Sequence, residues 1–138
     1  MFGLLLLVGV GIYYLVKDTN ANNERYRQRE AASLTLIQPA QLLLNNVRLG
    51  QSYGTWKVAG TVQNKSQYSL NQFSLRVTVR DCPTNPCVTI GEDEVLINVR
   101  VPPGQLRAFD GNVYLSNLPT AQRMTWTYGL ASVKADVP

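Results

Sequence analysis

From Phe73 to Arg80 the chain alternates strictly between apolar and polar side chains. Phe73, Leu75, Val77 and Val79 fall on one face of an extended segment, and Ser74, Arg76, Thr78 and Arg80 on the other. Successive side chains of a strand point to opposite faces, so this pattern predicts a strand buried on one side and wet on the other. The same period of two recurs elsewhere. Trp56, Val58 and Val62 alternate with Thr55, Lys57, Ala59 and Thr61. Val95, Ile97, Val99 and Val101 alternate with Leu96, Asn98 and Arg100, and Met124, Trp126, Tyr128 and Leu130 alternate with Thr125, Thr127 and Gly129. Residues 41–49, a short segment at 87–90 and residues 105–115 bring the set to about seven strands, separated by turn-forming stretches at Gly50, 64–69, 102–105 and 117–120. Short, one-sided strands in about a hundred residues predict an all-β fold, an antiparallel β-sandwich of the immunoglobulin/fibronectin kind. On this reading Trp56 and Trp126 are packing anchors, and Asp110-Gly111-Asn112 marks a bulge or kink in the sixth strand, or divides it in two.

The amino-terminal residues follow a different pattern. Phe2 to Val16 is an unbroken apolar run closed by Lys17, and its bulk comes from Phe2, Leu4, Leu5, Leu6, Leu7, Val8, Ile12, Tyr13, Tyr14 and Leu15. A helix of that length covers about 22 Å of a hydrocarbon core about 30 Å thick. Lys17 can snorkel and Tyr13 and Tyr14 suit the headgroup belt, so one short transmembrane helix in contact with lipid is the reading adopted. A cleaved signal peptide would use the same apolar centre, with Thr19 and Ala21 as its small residues, but has no basic segment ahead of it here. A buried helix would need a polar face that the run lacks. Residues 18–38 open on Asx-rich punctuation, continue through the helix-compatible 24–34 and stop before Pro39, as a polar helical stalk would. The expected organisation is an anchor at 1–17, a stalk at 18–38 and a β-sandwich at 39–138.

Residues 58–81, VAGTVQNKSQYSLNQFSLRVTVRD, combine a glycine-valine strand, an Asn-x-Ser turn, a spaced leucine and an alternating strand ending in Asp; a Pro-Gly follows in VPPGQ at 101–105. This stretch resembles the FxLYD-type domain, an immunoglobulin-like module. Val77, Val79, Arg80 and Asp81 stand where that family often has Phe, Leu, Tyr and Asp. The resemblance implies a sandwich behind a single membrane anchor, outside the cytoplasm, with no shared chemistry.

Charge and composition narrow the function further. The chain has no histidine, which removes the commonest general base and the usual zinc ligand. Its net charge is +4, spread without a Lys/Arg run that would track a phosphate backbone, so nucleic acid is not an expected partner. Cys82 and Cys87 are its two cysteines, in DCPTNPCV. A metal site would need further soft ligands from another chain. A redox couple usually has two intervening residues at a helix start, where this pair has a proline-rich loop after a strand. Asp81, Pro83, Asn85 and Pro86 are turn formers, and a disulfide staple fits them best, with two free thiols as the remaining alternative. A disulfide points to an oxidising compartment. It outweighs Lys17, Arg25, Arg27 and Arg29, which under the positive-inside rule favour a cytoplasmic domain but are diluted by Asp18, Glu24 and Glu30.

Three polar features remain. Glu92, Asp93 and Glu94 suggest calcium, but alternate in direction along an extended chain, so a solvated strand end is expected. Arg76, Arg80 and Arg100 form a candidate interface for an acidic partner, against the plainer role of solubility and edge protection. Asn64-Lys65-Ser66 is formally a glycosylation sequon that a turn also explains. No nucleophile has a recognisable base, and no catalytic, cofactor or metal residue is assigned. The sequence therefore leads to a non-enzymatic, single-span accessory subunit of an integral membrane-protein complex at the inner (plasma) membrane, its sandwich in the periplasm. The alternative is a free-standing tethered module that captures a peptide, lipid or polysaccharide at a sheet edge. A thiol oxidoreductase ranks third.

Overall fold

The computed structural model describes residues 19–137, so the expected anchor at 1–17 lies outside the described residues. Helix α1 covers residues 19–33 and a 3₁₀ turn spans Pro39–Gln41. Six strands follow: β1 (Leu42–Ser52), β2 (Thr55–Asn64), β3 (Leu70–Asp81), β4 (Val88–Val101), β5 (Leu106–Val113) and β6 (Met124–Ala135). They form two antiparallel three-stranded sheets, ordered β1-β2-β5 and β4-β3-β6. Among the described residues no helix is long and apolar enough to cross a membrane.

The alternation in β3 is realised: Phe73, Leu75, Val77 and Val79 are all fully buried. Across the core, Phe73 meets Phe109 of the other sheet edge to face, with ring centroids 5.3 Å apart. That arrangement sets the positive rim of one ring against the negative face of the other. Val58, Val62, Val95, Ile97 and Val101 complete the interior as their spacing predicts. Ser74, expected to face water, is buried instead. Its hydroxyl donates to Glu94 Oε1 at 2.8 Å and lies 2.7 Å from Ser132 Oγ, so polar cross-strand neighbours shield it.

Four details differ from the sequence expectation. The segment at 87–90 and the strand at 95–101 are one long β4, because Gly91 to Glu94 keep period two and pair with Arg76 to Val79 without interruption; the strands among the described residues therefore number six. Helix α1 takes in Asn20, Asn22 and Asn23, which the Asx-rich pattern placed ahead of it. No bulge occurs at Asp110-Gly111-Asn112, where the β2–β5 ladder runs in continuous register. Gly111 is needed for a different reason: a Cβ there would lie 2.5 Å from Ile97 Cδ1 and 2.7 Å from Val95 Cγ1. The missing side chain lets β5 sit directly on β4. Finally, Trp56 and Trp126 are half-buried at the margin of the core, not inside it.

With β5 against β4, the order of each sheet sets β1 opposite β6 at the other side. The first side is closed, and Tyr114 N–H adds a 2.7 Å hydrogen bond to Asp93 Oδ2. The second is not. Leu44, Val47 and Leu49 of β1 and Trp126 and Leu130 of β6 are only partly covered, and Met124 and Tyr128 are 50% and 42% exposed. The sandwich is thus a wedge, shut along β4/β5 and open on the β1/β6 side beside Met124–Leu130, while Ile37, Leu42, Val133 and Ala135 close that side at its other end.

The stalk region joins this body. Lys134 Nζ of β6 donates to Glu30 Oε1 of α1 at 2.6 Å, and Ser33 and Ile37 are buried. The chain leaves the helix as Leu36 N–H bonds Ala32 O, then turns at Pro39 into β1.

Candidate docking surface

The outer face of the β4-β3-β6 sheet carries Arg76, Arg80, Arg100, Glu92 and Glu94, and its geometry decides which of these groups are free. Arg76 stands across from Glu94 and pairs with Glu94 at 3.4 Å and Glu92 at 3.8 Å. Thr78 Oγ1 donates to Glu92 Oε2 at 3.2 Å. Glu92 and Glu94 are therefore rungs of a cross-strand ladder within β4, not a solvated strand end, and Asp93 points to the other face to accept from Tyr114. Exposed pairs of this kind contribute about 0–1 kcal/mol each. Among the described residues no three His, Cys, Asp or Glu side chains converge as a metal site would require.

Arg100 pairs with Asp136 at 2.8 Å, toward the other end of the sheet from Arg80. The three candidate arginines thus form no common patch, and two of them are already matched by carboxylates. Of the three, Arg80 has no ion pair among the described residues. It lies between Thr89 of β4 and Thr125 of β6.

The cysteines are joined: Cys82 and Cys87 form a disulfide with Cα atoms 4.3 Å apart, and no free cysteine remains. The bridge closes the β3–β4 loop, and that loop is stitched to the start of β6. Asp81 accepts backbone N–H groups of Gln122 and Arg123 at 3.2 and 2.8 Å, and Cys82 N–H donates to Arg123 O at 2.9 Å. The pair serves as a staple at the foot of two strands.

Each sheet leaves two edges, and they are defended unequally. β4 bears Glu92, Glu94 and Arg100; β5 bears Arg107 and Asp110. β1 carries Arg48 beside a register irregularity between Asn45 and Arg48, where Asn46 adopts φ 51°. Charges and irregularities of this type discourage strand addition. β6 has neither a charge nor a proline from Met124 to Val133, and its exposed inner side chains are those lining the open side of the wedge. Sequence reasoning singled out the arginines and not this edge. The uncharged alternation between Arg123 and Lys134 is visible in the sequence, but it reads as ordinary core until the exposure of Met124 and Tyr128 is known.

An open groove of about 740 Å³ runs between α1 and Val137, lined by Asn22, Arg25, Tyr26, Gln28, Arg29 and Ala32. It contains cationic and amide groups and no acid–base pair.

No family model matches the chain, and no curated protein matches it. One solved structure with a similar arrangement is a crystal structure of DesR, a β-glucosidase from Streptomyces venezuelae, in complex with D-glucose: 14% identity over 69% of this chain, with a TM-score of 0.41. The match spans 14% of that enzyme's chain and carries no inference about activity.

Proposed function

We propose that this chain is a non-enzymatic, single-span accessory subunit of a larger membrane-protein complex, holding a sandwich of the FxLYD kind on the periplasmic side of the inner membrane. The observation that carries the reading is the one-sided opening of the sandwich, which leaves an apolar margin for a neighbour to cover. The apolar run from Phe2 to Val16 supports the tether, and the Cys82–Cys87 bridge supports an oxidising compartment. A short span of this kind also gains from flanking protein helices.

Detergent extraction followed by affinity purification of the full chain tests the proposal. Co-purification with integral membrane proteins at fixed stoichiometry is expected; a monodisperse free monomer would overturn it. A membrane-impermeant maleimide tests the compartment, since labelling of Cys82 and Cys87 in intact cells is expected only after reduction.

The second reading, a free-standing tethered module that binds a peptide, lipid or polysaccharide, draws its support from the undefended β6 edge. A free monomer that retains ligand would favour it.

A further inference from the structure

We infer that the β6 edge is the docking strand, and that its partner is an extended segment of another protein, apolar at alternate positions and acidic where it passes Arg80 and Arg123. The inference deepens the docking reading above by naming the surface and the chemistry of what it receives.

The backbone argument comes first. β6 is hydrogen-bonded to β3 and to no other strand, so its outer row of N–H and C=O groups faces outward over Met124–Leu130, short of the end where α1 joins through Lys134. Such a row is a template for an added strand. Among the four edges, the Met124–Leu130 stretch of β6 is the one with neither a charge nor a register shift; the shift at Ser132/Leu130 and Lys134 lie beyond it. Even that shift leaves Met124 to Leu130 in continuous register with β3.

Side chains set the partner's pattern. An added strand continues the sheet, and alternate residues enter the gap beneath β1, which the partly buried Leu44, Val47 and Leu49 border on one sheet and Trp126 and Leu130 on the other. Those positions must be apolar. The Trp126 and Tyr128 rings, with centroids 5.8 Å apart, form the wall they would meet.

Charge selects the source. Arg80 and Arg123 flank the beginning of β6 and neither guanidinium makes an ion pair among the described residues, whereas Lys134 at the far end is matched by Glu30. A carboxylate beside Arg80 and Arg123 completes the pattern. A second copy of this chain fits badly. Antiparallel β6–β6 pairing over the full strand sets Arg123 of one copy opposite Asp136 of the other, whose carboxylate is already held by Arg100 at 2.8 Å, and diagonal to the cationic Lys134, so it supplies no free carboxylate. The acidic β4 edge of another copy has its carboxylates engaged by Arg76, Thr78, Ser74 and Tyr114.

The test is photo-crosslinking in cells that express the full chain, with a benzophenone-bearing phenylalanine replacing Tyr128, and Met124 as a second position on the same edge. Tyr114, 75% exposed beside β5, is the control. Mass spectrometry of the adduct should map a segment of a different protein with alternating apolar residues and an Asp or Glu near one end. Tyr114 should give no such adduct, and Arg80→Glu with Arg123→Glu should lower the yield at Tyr128 by about tenfold. An adduct with a second copy of this chain, an adduct with lipid alone, or no adduct at either β6 position would overturn the inference. So would a yield unmoved by the charge reversal. A complex that co-purifies without a β6 adduct would remove this edge and leave the subunit role standing; a β6 adduct to a protein outside any membrane complex would do the reverse.

Discussion

The side-chain amide of Asn64 donates to the backbone carbonyl of Val101 at 2.8 Å, tying the end of β2 to the end of β4 in the opposite sheet. Its second hydrogen goes to Tyr68 O at 2.7 Å, and Asn64 Oδ1 accepts from both Ser66 N–H and Ser66 Oγ–H at 3.0 and 2.7 Å. Asn64 is fully buried, so every polar capacity of one side chain is used to fix a turn between sheets.

Replacing Asn64 with Ala strands the Val101 carbonyl and the Ser66 N–H in the interior, whereas Tyr68 O keeps the bond from Ser66 Oγ–H at 2.9 Å. Buried groups left unpaired cost about 1–3 kcal/mol each, partly relieved by relaxation, so Asn64→Ala should destabilise the domain by about 3 kcal/mol in urea titration. A loss below about 1 kcal/mol would mean that water replaces the network. The same bonds decide the sequon: both amide hydrogens are donated internally, so the folded domain presents no acceptor at Asn64.

Gly111→Ala drives a methyl group into Ile97 and Val95. Overpacking of this type costs about 1–3 kcal/mol. Adding Ile97→Val removes the nearer clash and should recover part of the loss, which a double-mutant cycle would read as a positive coupling. Strict additivity of the two substitutions would show that β5 does not rest on Ile97.

Phe73→Ala should cost about 3–5 kcal/mol, since the residue is fully buried and stacked edge to face on Phe109. Trp126→Ala should cost clearly less despite removing a larger ring, because Trp126 sits at the open margin. Thermal unfolding of the two variants side by side checks this order; the reverse order would mean that the β1/β6 side is shut.

Much of this fold was legible in the sequence, and the limits are instructive. Period two identified the buried face of β3 from Phe73 to Val79 because side-chain direction is a local property. It says less at Trp126, which packs on the core from its margin, and at Tyr128, which alternates just as well but stays 42% exposed. Whether an apolar face is covered depends on how closely the facing strand approaches, which no local pattern encodes. Gly111 was noticed for the wrong reason: a bulge is a property of one ladder, whereas its actual constraint comes from β4 across the core. The arginines suffered likewise. Arg76 and Arg80 share a face as expected, but the partners that neutralise Arg76 and Arg100 come from Glu92, Glu94 and Asp136, at distances in sequence that only the strand register reveals.

Cys82→Ser with Cys87→Ser should lower stability by about 2 kcal/mol, the loop-closure value for so short a ring. The domain should still fold, because Asp81 and Cys82 N–H continue to hold the loop against residues 122 and 123. Denaturation with and without reductant would separate the two contributions. Complete unfolding on reduction would show that the backbone bonds alone do not suffice.

The ion pair between Lys134 and Glu30 bears on how the domain responds to tension. It places α1 beside the last residues of β6, at the pole where Asp136 N–H bonds Ser69 O, while the Tyr53-Gly54 turn and the disulfide loop occupy the opposite pole, about 40 Å away at the usual rise of a twelve-residue strand. A pull applied between α1 and residue 137 therefore enters and leaves at one end. It would peel β6 from β3 rung by rung, loading few hydrogen bonds at a time, instead of shearing whole strands in parallel. A domain wired this way yields readily to force between those two points while its far pole stays undisturbed, which suits a rest fixed to a post better than a link in a chain.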